Sequence, residues 1–207
     1  MPVPVEADPE MTSPEDPWIL AATAFGPSYI GGWSAAEHWG LTEQLFRTIV
    51  VLSSKPPRSR KLDLAGTPFW IIGIQERAMF GLKPVWRGNV RVQVSDPTRT
   101  VLDMLSNPLV GGGLRSTVDI VRAYLSSEHY VYSTLKDYAQ RLDNGAVYKR
   151  LGFLLEKYQP QEKALIETCR RNLTAGLTQL DPALKGTSIV KRWRIRIPKA
   201  WGPEAKR

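Results

Sequence analysis

The spacing of apolar residues changes near residue 95, and that change restricts the fold more than any other feature of the chain. From about 44 to 94, apolar residues come in short β-branched runs or alternate singly, as strands require. From 96 to about 173 they recur every three or four residues, as helices with one buried face require. Strands first and helices second imply an α+β domain.

Within the strand region, Phe46–Leu52 is rich in β-branched residues, and Lys55-Pro56-Pro57 breaks it. Arg60–Leu64 alternates, with Leu62 and Leu64 on one face, and Phe69–Ile74 reads as a central strand. Met79–Trp86 and Asn89–Val94 form a hairpin about Arg87-Gly88. In the helical region, Asp96-Pro97 supplies a cap followed by Pro at the first helical position. Arg99 and Asp103, four residues apart, are expected to pair on that helix's surface. Gly111–Gly113 is a loop before Thr117–Leu125, Ser133 caps the next helix, and Asn144-Gly145 makes a turn. Val147, Leu151, Leu154, Leu155 and Tyr158 give the most regular helical stripe, and Gln161–Asn172 forms the last helix. Two short helices precede the strands, one opened by Asp16-Pro17 and one capped by Ser34. A final strand spans Ser188–Ile197. The expectation is a mixed or antiparallel sheet of about five to six strands (residues 44–94 plus the C-terminal strand) packed with about five helices. Residues 1–16 read as a flexible acidic tail, 17–200 as the domain, and 201–207 as a C-terminal tail.

Charge narrows the class of partner. The net charge is +8, yet residues 1–16 hold five acids and no Lys or Arg. The remainder has 28 basic against 15 acidic side chains, a net of +13, which attracts polyanions or an acidic protein. Two clusters carry this charge toward a candidate interface. In the final strand, Ile189, Trp193, Ile195 and Ile197 are expected inward and Arg192, Arg194 and Arg196 outward. Alternate strand residues stand roughly 6–7 Å apart, close to the phosphate spacing of about 7 Å along a nucleic-acid strand. Lys55, Arg58, Arg60 and Lys61 form the second cluster. Nucleic-acid contact, acidic-protein contact and a solvated face all fit these rows.

Enzyme signatures are missing from the sequence. His38 and His129 have no neighbour at metal-ligand spacing. There is no GxSxG and no phosphate loop, and Gly111–Gly113 is not followed by Lys-Ser/Thr. Asp63 lies on a strand, but the next strand, Phe69–Ile74, offers only Gln75 and Glu76 at its end, too little to build a nuclease centre. Ser133–Leu155 suggests a helix-turn-helix, but its apolar stripe is too wide to leave a recognition face. No catalytic, metal or cofactor residue is therefore expected. Cys169 is the lone cysteine and no apolar run reaches about 18 residues, so a cytoplasmic protein without a membrane span is expected.

Four segments, in order, resemble a known family. They are Tyr29-Ile30-Gly31-Gly32-Trp33-Ser34-Ala35-Ala36-Glu37-His38-Trp39-Gly40-Leu41-Thr42, Ser95–Asp103, Asn144–Gly152, and Leu180-Asp181-Pro182 followed by Trp193-Arg194. Over roughly residues 17–198 the chain resembles the AbiE-type (AbiEi) antitoxins of bacterial type IV toxin–antitoxin systems, which are phage abortive-infection modules. The resemblance implies a non-enzymatic protein that counteracts a nucleotidyltransferase toxin, directly or through an indirect route. Family members join a winged-helix DNA-binding domain to a C-terminal antitoxin domain, and this chain resembles the latter alone. The alternative it implies is a DNA-binding autorepressor of the operon.

Overall fold

Asp16 opens the first helix as the Asp-Pro pair requires: its carboxylate accepts the Trp18 N–H at 2.8 Å, and Pro17 leads α1 (Pro17–Ala24). The computed structural model to which this helix belongs describes residues 16–201. The expected tails, apart from Asp16 and Trp201, lie outside the described residues. After α1 come β1 (Ser28–Ile30), α2 (Gly32–His38), β2 (Ile49–Ser53), β3 (Lys61–Leu64), β4 (Thr67–Gly73), β5 (Leu82–Arg87) and β6 (Val90–Ser95). The helical half is α3 (Pro97–Ser106), α4 (Leu114–Leu125), α5 (Tyr132–Leu142), α6 (Gly145–Tyr158) and α7 (Lys163–Arg171). Three short strands follow: β7 (Thr178–Gln179), β8 (Ser188–Val190) and β9 (Ile195–Ile197).

The fold is α+β, with a six-stranded mixed sheet in the order β3-β4-β2-β1-β6-β5. β2 runs parallel to β4 and β1 parallel to β6, while the remaining neighbours are antiparallel. Because side chains alternate along strands, β1 and β2 serve two cores. Ile30, Val51, Ile71, Val92 and Val94 pack with Trp18, Ala21 and Phe25 of the α1 side. Tyr29, Val50 and Leu52 face the helical half, with Leu102 and Leu105 of α3 and Leu151 of α6. No described helix is long and apolar enough to cross a membrane.

Several expectations are corrected. β1 completes the large sheet between β2 and β6, where no strand was expected. The described chain has seven α-helices rather than about five. Ser34 does not cap α2. It lies inside the helix and its hydroxyl accepts the Val50 N–H at 3.0 Å, tying α2 to β2. Gly32 leads instead, because its φ of +55° and the closeness of the Val110 carbonyl to any Cβ there admit no side chain. Ser133 likewise lies within α5, which begins one residue earlier. The C-terminal segment is not one strand and does not join the large sheet. It folds back on itself as β8, a turn at Lys191–Arg194, and β9, and it pairs with β7 in a separate three-stranded sheet ordered β7-β9-β8. Arg194 takes a left-handed φ of 50°, which ends the extended run.

The Asp96 cap is as expected and does more than end a helix. Its carboxylate accepts the Arg99 N–H at 2.8 Å and the Tyr138 hydroxyl at 3.0 Å, so it joins α3 to α5. Asp96→Ala is expected to cost about 1–2 kcal/mol, read as a lower urea midpoint with unchanged slope.

Candidate functional site

The two basic clusters predicted from sequence have different fates. Lys55, Arg58 and Arg60 are exposed on the loop between β2 and β3, and Lys61 is exposed at the start of β3. Lys61 sits opposite Trp70 on β4, with Nζ 5.6 Å from the ring centre. Among the described residues, none of these four makes an ion pair. Arg192, Arg194 and Arg196 are also exposed, but they do not form a row. Arg192 and Arg194 belong to the turn and only Arg196 to a strand. Arg192 pairs with Glu156 at 2.5 Å, and Arg194 donates to the Thr174 carbonyl at 2.9 Å. These three guanidinium groups therefore do not present the evenly spaced row that matches phosphates along a strand. Ile189 is 50% exposed rather than inward, because it lies directly opposite Arg196 in the hairpin and shares its outer face.

The charged residues of the resembling motifs are largely buried. Arg99 and Asp103 do not pair on a surface; they are 1% and 5% exposed. The Arg99 Nε donates to Asp103 Oδ1 at 2.9 Å, and Nη2 donates to the Tyr29 hydroxyl at 2.8 Å. Nη1 donates to the Ala78 and Phe80 carbonyls at 2.6 and 3.0 Å, and the Tyr29 hydroxyl donates to Asp103 Oδ2 at 2.9 Å. Burial raises the pKa of Asp103 while Arg99 opposes that rise, and burial also pushes Tyr29 up. The network ties β1, α3 and the segment before β5 together.

Lys149 and Arg150, near the start of α6, clamp the C-terminal segment. The Lys149 ammonium donates to the Gly176 carbonyl at 2.5 Å. Arg150 is directed at backbone carbonyls: Leu105 and Ser106 at the end of α3, and Gln179 and Leu180 beyond α7. The α3 carbonyls carry the negative end of that helix dipole, which favours a cation. Burial pulls the Arg150 guanidinium down to about 10, so it stays charged at neutral pH.

Near this network lies a cleft of about 430 Å³, lined by the C-terminal end of β4, the turn after it, α3, and the α5–α6 junction. Arg77, Arg99 and Arg141 line it, together with Asp103 and Asp143. Arg60 is not among the lining residues: its guanidinium nitrogens lie 3.4 and 3.6 Å from where a Cβ on Gly73 would stand, on the face of β4 that Ile71 shares rather than the cleft face of Ile72. Sequence reasoning had no signal for Arg77 or for the cleft. Nor did it single out Arg141. Among the described residues, no three His, Cys, Asp or Glu side chains converge as metal ligands would.

The chain resembles in fold the RV2827C protein of Mycobacterium tuberculosis. The TM-score is 0.58 at 17% sequence identity, over 88% of this chain and 68% of that one. At that identity the likeness is one of fold alone. No family model matches the chain, and no curated protein matches it.

Proposed function

We propose that this domain is a non-enzymatic partner-binding protein, an AbiE-type antitoxin that counteracts a nucleotidyltransferase toxin in the bacterial cytoplasm. The observation that carries the reading is a division among charged groups. In the resembling motifs, Arg99, Asp103, Lys149, Arg150 and Asp181 are buried in internal contacts. Lys55, Arg58, Arg60 and Lys61 stand exposed without an ion-pair partner among the described residues. A nucleotidyltransferase needs metal-binding carboxylates at its active-site mouth. A basic loop complements such a mouth and speeds its capture.

Titration of the protein against the toxin of the neighbouring gene tests this reading. Arg58→Glu/Arg60→Glu is expected to weaken association about tenfold at low salt, with less effect at high salt, and to leave the melting temperature unchanged. Unaltered affinity removes the loop from the interface. Operator DNA titrated over the same salt series tests the autorepressor alternative. Sequence-specific binding that survives physiological salt would favour repression, whereas attraction without sequence preference that vanishes there would not.

A further inference from the structure

We propose that the cleft between the end of β4 and helices α3, α5 and α6 is a binding site for a small organic phosphate. This inference is independent of the antitoxin reading. The cavity of about 430 Å³ lies in the size range of small-molecule sites. Its cations come from three separate elements: Arg77 from the turn after β4, Arg99 from α3, and Arg141 from α5.

Each guanidinium is positioned with donors to spare. Arg99 has five N–H groups. Four are taken by Asp103, Ala78, Phe80 and Tyr29, and the fifth, on Nη2, has no acceptor among the described residues. Arg77 spends its Nε on Gln75 Oε1 at 2.7 Å, which leaves its terminal amino groups free among the described hydrogen bonds. Arg141 rests 4.0 Å from the centre of the Phe80 ring, a contact that orients the plane and leaves the N–H edge open. Asn144 and Gly145, at the N-terminal end of the 14-residue α6, close one side with the positive end of the helix dipole.

The acids do not cancel this charge. Asp103 is spent on its ion pair with Arg99, so Asp143 at the exposed rim is the lining acid left to oppose Arg77 and Arg141. Guanidinium forks converging from different elements suit a tetrahedral dianion with three peripheral oxygens, whereas a carboxylate offers two in one plane. Leu52, Ile72, Val110 and Leu142 supply an apolar wall for the organic part.

Calorimetric titration of the full chain with phenyl phosphate, benzoate and inorganic phosphate tests the site. Phenyl phosphate is expected to saturate one site and to bind about tenfold or more tightly than benzoate, which has the same ring and a planar anion. Inorganic phosphate is expected to compete more weakly, since it lacks the ring. Arg77→Gln and Arg141→Gln are each expected to weaken phenyl phosphate binding about tenfold without lowering the melting temperature. Lys163→Gln, exposed at the start of α7 and outside the cleft lining, serves as the neutral control. The proposal is overturned if phenyl phosphate does not saturate, if benzoate binds equally well, or if Arg77→Gln, folded as the wild type, binds it unchanged.

Discussion

Replacing Arg99 with methionine is expected to destabilise the domain by about 3–5 kcal/mol, a fall in Tm on the order of 10 °C. The side chain is 1% exposed and satisfies Asp103, Tyr29 and two carbonyls. Its removal leaves a buried carboxylate without its cation, and that uncompensated charge is the larger part of the cost. The loss also has a predicted pH dependence. Burial already raises the pKa of Asp103, and Arg99 is the chief opposing influence. Without Arg99 the folded-state pKa stands further above the unfolded value, so the folded variant binds more protons than the unfolded chain. Its deficit relative to wild type is then smallest below the unfolded pKa and grows as pH rises through the folded one. Asp103→Leu added to Arg99→Met is expected to recover much of the loss, since replacing both members of a buried pair by apolar groups costs far less than removing one. Chemical denaturation of the single and double variants from acid to neutral pH gives both results.

The second large effect concerns the contact that seats the C-terminal hairpin on α6. A Cβ added to Gly152 would overlap three atoms of the Trp193 ring. That ring is fully buried, and its indole N–H donates to Glu156 at 2.6 Å, so it has no free direction in which to move. Gly152→Ala is expected to cost about 3 kcal/mol, the upper end of the usual range for overpacking. Trp193→Ala, which instead opens a cavity, is expected to cost about 3–5 kcal/mol. Because the two residues touch, their effects should not add. In a Trp193→Leu background the Gly152→Ala step should cost clearly less than in the wild type. Equal costs in the two backgrounds would place the strain elsewhere.

The residues that sequence reading placed well are those whose structure is local. Asp16-Pro17 and Asp96-Pro97 open helices because cap and proline act within one turn. The strands from β2 to β6 follow their own β-branched and alternating patterns. What was missed depends on distant partners. β1 has three residues, too few to show alternation, and it is a strand because β2 and β6 flank it. The i,i+4 spacing of Arg99 and Asp103 was legible, but their burial was not, since it rests on Tyr29 some 70 residues upstream. Apolar alternation over Ile189–Ile197 fits one strand as well as a hairpin. The left-handed turn at Arg194 goes with Trp193 entering the space that Gly152 leaves open. The cleft had no sequence signature because Arg77, Arg99 and Arg141 meet only in three dimensions. The loop from Lys55 to Lys61 is the predicted basic cluster that keeps its exposed, unpaired character among the described residues. Its two prolines and its lack of apolar residues already indicated a surface loop.

The most direct test of that loop's role is growth rescue. Cells expressing the toxin of the neighbouring gene would receive either the wild-type protein or a variant with Lys55, Arg58, Arg60 and Lys61 all changed to Glu, matched for soluble level and melting temperature. Rescue by the wild type and its loss in the folded variant is the expected result. Full rescue by that variant would contradict the assignment of the basic loop as the partner-binding surface.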